Sequence, residues 1–208
     1  MSKWSTLADA IADLEARLRD AGNADWSDAQ LAEHLATALE RYSAVAPYTR
    51  IATLTASVGL RRYSLAALSD RFPGRRGVAA VEWPTGRYPR AWCRFEVESD
   101  AGTDYLVLLT LDAPASGDAI SVHTRGPHIL DETDSTIPET DQPHIVNGAA
   151  GYAAEALARS LMGKVTVERA YDALASWGRL RAREFEVWLR EVSSREIIAD
   201  HLIVEPGL

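Results

Sequence analysis

Leu7, Ile11, Leu14 and Leu18 recur at intervals of four, three and four residues, so they share one face of a helix that is predicted to stop near Gly22. Ser27 followed three residues later by Gln30 reads as a capping box. Leu31, Leu35, Leu39 and Tyr42 then mark a second helical stripe that must end before Pro47. The two predict a helical hairpin. From there the pattern shifts toward alternation. Ile51, Thr53, Thr55 and Ser57 predict a strand, a short helical turn follows around Ser64 to Leu68, and stronger strand signals come at Val78–Trp83, Trp92–Glu98, Tyr105–Leu111 and Ala119–Thr124. Their connections, PTGRYP, SDAGTD and DAPASGD, are short and rich in turn residues, which predicts antiparallel neighbours in a small sheet or sandwich.

Residues 126–143 hold three prolines and five acids without periodicity and read as an irregular crossing loop. A helix is expected to begin near Gln142 to His144, with Pro143 in its first turn. Its small residues Ala149, Ala150, Gly151, Ala153 and Ala154 allow another helix to come close. Thr166 is expected to cap a last helix with Tyr171, Leu174, Phe185, Trp188 and Val192 on its apolar side, and with Glu186–Arg190 and Glu191–Arg195 as ion pairs on the wet side. After Ser193 the chain is expected to finish as a strand or an extended arm. The fold class is therefore α+β: a helical bundle (residues 1–50 and 131–195) framing an inserted antiparallel β module (51–130), with a C-terminal arm (196–208).

Composition changes this picture little, because 47% apolar and 25% charged residues are the ordinary mixture of a folding chain. Cys93, the one cysteine, excludes an intrachain disulfide and favours a reducing compartment. Acids at Asp9, Asp13 and Glu15 interrupt the stretch that a signal peptide would need apolar, and no run approaches a membrane span, so neither export by that route nor membrane insertion is expected.

Charge is more informative than its total of −8. Eight arginines (61, 62, 71, 75, 76, 87, 90, 94) face only Asp70 and Glu82 between positions 61 and 94, a net +6, whereas residues 131–141 carry five acids and no base. Opposite patches on one chain suit head-to-tail contact between copies or docking on a charged partner. Strand alternation would split the arginines between faces. Arg61, Arg62, Arg75, Arg76, Arg87 and Arg90 are the candidates to face DNA or an acidic partner.

Catalytic signals are weak. Neither a phosphate-binding loop nor a dinucleotide glycine fingerprint occurs, and Ser57 in TASVG lacks the flanking glycines of a nucleophile elbow. His123, His128 and His144 lie near the acidic loop and, with Asp131 or Glu132, have the chemistry of zinc or manganese ligands, but none has the helical spacing that presets a site. The expectation is no enzyme, no cofactor and no metal, with Cys93 a small strand residue. Trp4, Trp26, Trp83 and Trp92 either pack in the core, the commoner fate, or anchor an interface.

The order of elements, an N-terminal helix ending ERYSAVAP, a β-rich middle with VEWPTGRYPRAW, the stretch APASGDAISVHTRGPHILDETDSTIPETDQPHIVNGAAGYAAEAL and closing helices, resembles the head-tail adaptor (connector, or head-completion) proteins of tailed bacteriophages over roughly residues 28–192. The resemblance implies a structural virion protein of the neck, made in the host cytoplasm. It would form a ring, commonly of twelve copies, that docks on the portal protein, seals the DNA exit channel, meets the next neck or tail protein and touches packaged DNA non-specifically. It also implies a C-terminal segment reaching the portal, which here carries Ile197, Ile198, Leu202, Ile203 and Val204. The β module is larger than the short hairpin of the smallest members. A tail-completion or baseplate-adjacent subunit, and a metal-dependent hydrolase or ligand-binding β module, are the competing readings.

Overall fold

The computed structural model describes residues 4–20, 22, 24–68, 77–161 and 168–203, with the side chains of 67, 168–171 and 195–203 excepted. Among the described residues, four α-helices and two small antiparallel sheets make a mixed α+β fold. They divide into a helical unit, built from the chain up to Ala46 and again from His128, and a β unit spanning Pro47–Pro127.

In the helical unit, α1 (Leu7–Leu18) opens with the Asp9 carboxylate accepting from Ser5 N at 2.7 Å and Thr6 N at 3.1 Å. It closes at Arg19, three residues before Gly22, with Arg19 itself in the left-handed conformation (φ 60°). The predicted capping box starts α2 (Asp28–Val45): Ser27 N donates to Gln30 Oε1 at 2.9 Å and Gln30 N to Ser27 Oγ at 3.4 Å. Between the helices, buried Asp20 accepts from Ala24 N, Asp25 N and Trp26 N at 2.9–3.1 Å. Asp20→Ala would strand those donors, and urea unfolding followed through tryptophan fluorescence is expected to show a loss of about 3 kcal/mol.

α3 (Gln142–Ser160) begins where predicted, with Pro143 in its first turn. It packs antiparallel on α4 (Glu168–Ile203) through small residues: a Cβ at Gly148 would lie 2.5 Å from the Phe185 ring, and one at Gly151 would lie 2.5 Å from Ala182 N. Thr166, the predicted cap of α4, lies outside the described residues. The expected strand or extended arm after Ser193 is instead helix through Ile203. Between Gly178 and Pro206 the chain has no glycine or proline, so nothing in its backbone chemistry stops the helix sooner. Trp4 and Trp26 join Leu14, Leu31, Leu35 and Ile145 in the core of this unit.

The β unit holds β1 (Tyr48–Thr55), β2 (Arg62–Ser64) leading into a 3-10 turn Leu65–Leu68, β3 (Val78–Glu82), β4 (Phe95–Asp100), β5 (Thr103–Leu108) and β6 (Ala119–Gly126). Sequential neighbours were expected to pair, but among the described residues only β4 and β5 do. The sheets run β1-β6-β3 and β2-β5-β4, all antiparallel. Burial explains the exchange. On β6, Ile120, Val122 and Thr124 are buried, so this strand takes the centre of its sheet, as β5 with Leu106 and Leu108 does in the other. β2 escaped prediction because three residues are too few to display alternation.

Candidate contact surfaces

The polar groups singled out in the sequence are mostly bound up in the fold. Around residues 128–141, Asp131 Oδ1 accepts from Thr133 N at 2.8 Å and Asp134 N at 2.9 Å, Asp134 Oδ1 accepts from Ser135 N at 2.8 Å, and Asp141 accepts from the Tyr42 hydroxyl. These carboxylates shape their own loop, while Glu132 and Glu139 stay exposed. His128 fastens the loop to the end of α2. Its backbone N donates to Ser43 Oγ at 3.0 Å, Nε2 lies 3.0 Å from Ala46 O and Nδ1 lies 3.0 Å from Thr136 O.

Burial pushes the His128 imidazole below its usual range, against the carbonyls of Thr136 and Ala46 and the Asp141 charge, which favour the cation. His34 and His123 are shifted the same way, burial again first. The sign follows: as pH falls through roughly 6.5 the unfolded chain takes up protons that the folded chain refuses, so stability falls on acidification. Urea midpoints are expected to drop between about pH 7.5 and 5, and His128→Gln to flatten that slope.

His144 is exposed and stacks on Trp188, with ring centroids 4.4 Å apart. His123 sits on β6 with Nε2 3.8 Å from Glu82 Oε2, too long for a hydrogen bond. Among the described residues no three histidine, cysteine or acidic side chains converge as metal ligands. Cys93 is half-buried beside Trp83 O, and burial pushes its thiol up, away from reactivity. Ser57 is an exposed residue of the turn after β1. The open groove along β4, about 530 Å³, is lined by Phe95, Glu96, Val97 and Glu98.

The arginines divide by role. Arg62 on β2 is held by Glu98 at 3.4 Å and Asp100 at 3.1 Å and covers the Tyr105 ring at 3.7 Å. Arg61 donates to Leu111 O. Arg87 and Arg90 are exposed on the loop after β3, where Arg90 lies 3.9 Å from the buried Glu82 carboxylate; Arg71, Arg75 and Arg76 lie outside the described residues. Val204 is also outside them, and Ile197, Ile198, Leu202 and Ile203 are placed on the last turns of α4 by backbone alone. The predicted Glu186–Arg190 pair is replaced by Arg41–Glu186, with Tyr152 O–H donating to the same carboxylate at 3.1 Å. Arg195, predicted to pair with Glu191, has no described side chain.

No family model matches the chain, and no curated protein does. Among solved structures, a chain of the neck of an empty GTA particle computed with C6 symmetry is similar at 18% identity, over 68% of this chain and 75% of that chain. The TM-score is 0.30, too loose to establish a common fold.

What sequence reading missed is apolar exposure. Leu111 is 97% exposed and Val58 76%, with Leu60 and Leu109 about half exposed. Leu108 N donates to Arg61 O at 2.8 Å, which joins the two segments, and Leu109 N donates to Arg94 O at 2.8 Å. Tyr88 is fully exposed between Arg87 and Pro89 on a loop closed by the Trp83 N to Ala91 O bond at 2.9 Å. The available signal was large apolar residues set among Gly, Asp and Pro, as in SVGLRR and LTLDAPASGD. Among the described residues no helix is long and apolar enough to cross a membrane.

Proposed function

We propose that this chain is a non-catalytic structural subunit of a tailed-phage type of particle: a head-to-tail adaptor that assembles with copies of itself into a ring, docks on the portal and receives the next neck or tail protein. The observation that carries the assembly reading is the exposure of Val58, Leu60, Leu109 and Leu111, four large aliphatic side chains on two segments joined by the Leu108 N to Arg61 O bond. Large aliphatic side chains so exposed suit a surface that another protein covers. The binding of the sequence-selected carboxylates and of His128 within the fold supports the non-catalytic part. The element order of the sequence supports the place at the neck, and Arg87 and Arg90 are the described candidates to meet packaged DNA.

Purified chain mixed with purified portal rings is expected to co-sediment, and the protein to be present in finished particles. Binding to an isolated tail but not to portal would move it to the tail-completion side. Absence from particles together with no portal complex would remove the proposal.

A further inference from the structure

The outer face of α4 is patterned for a second copy of the same helix. Residues seven apart lie on one helical face. Leu180 and Val187, 52% and 46% exposed, form a strip on the side away from buried Phe185 and Leu189. Exposed Arg183 and Arg190 flank it on one side, and exposed Glu184 and Glu191 on the other. Both flanks repeat at the interval of the strip, so a basic edge and an acidic edge run alongside it. Glu184 is oriented by Arg181 at 2.8 Å and Asn147 at 3.0 Å, which keeps its carboxylate in place on the surface.

We infer that copies of this chain pack side by side through α4, the Arg183–Arg190 edge of one against the Glu184–Glu191 edge of the next, with Leu180 and Val187 at the seam and the two helices running the same way. Charge selects this polarity. Turning one helix end for end sets arginine against arginine and glutamate against glutamate, whereas the parallel arrangement pairs opposite signs along the whole contact. The contact uses both edges of each helix, basic against acidic on either side of the seam. This rests on the self-assembly part of the proposed function and adds the surface and the direction.

The test uses the full chain in sedimentation velocity over a range of concentrations, with circular dichroism to show that each variant folds. The parent is expected to associate. Arg183→Glu/Arg190→Glu and Glu184→Lys/Glu191→Lys are each expected to remain monomeric, and an equimolar mixture of the two to recover association, while Leu180→Ser/Val187→Ser weakens association at least tenfold. If the parent assembles and the charge-reversed and serine variants assemble equally well, the α4 contact is wrong and self-assembly stands. A parent that stays monomeric at every concentration overturns both.

Discussion

Gly151→Leu is expected to unfold the helical unit or leave it at the margin of stability. Gly151 sits where α3 and α4 approach at the distance of bare backbone: Gly178 O and Ala182 N are the atoms that a Cβ at Gly151 would meet, at 2.9 and 2.5 Å. Neither is the free end of a side chain, so no rotamer change makes room and the helices must part. Parting them also breaks the neighbouring contact of Phe185 with Gly148. The cost is set by overpacking against backbone, about 4 kcal/mol, at the severe end for a single substitution. Urea unfolding followed by tryptophan fluorescence reads it, because Trp4 and Trp26 belong to this core. A loss under about 1 kcal/mol would mean that the two helices do not touch there.

The second large effect is a coupled one. Phe185→Ala removes a ring that is 1% exposed and is expected to cost about 4 kcal/mol through the cavity it leaves. Gly148→Ala is also destabilising by itself, since its new methyl would lie 2.5 Å from the ring carbons. In the double variant the methyl enters the space the ring has left. The two costs should therefore fall short of adding by about 1–2 kcal/mol. Additive losses would show that α3 slides aside when Gly148 is substituted, not that the ring and the glycine share one space.

These effects fall in the part of the chain that was most legible beforehand. The small residues from Ala149 to Ala154 announced a close helix contact, and Ser27 with Gln30 and Pro143 located two helix starts, because capping and backbone chemistry act over a few residues. Pairing in the β unit was less legible. Which strand lies beside which depends on burial summed over distant residues, and β6 took the centre of its sheet between β1 and β3 for its buried Ile120, Val122 and Thr124. The arginines show the same limit at the candidate surface. Position in the sequence grouped Arg62 with Arg87, yet Arg62 is held by Glu98 and Asp100, two acids that come close only through the β4–β5 hairpin. Leu111 was read as the end of a strand and Val58 was not singled out, because sequence pattern registers hydrophobicity and not where a turn holds it.

His128 has one more consequence. Its backbone N and its ring grip Ser43 and Ala46, the residues at which the chain leaves the helical unit, and His128 is itself the residue at which the chain comes back. Departure and return are thus stapled within hydrogen-bond reach of each other by atoms that all belong to the helical unit. The intervening stretch is topologically a cassette, and the entropy of closing such a loop grows only slowly with its length. A change in the length of that stretch is therefore expected to leave the hydrogen bonds of His128 to Ser43 and Ala46 in place.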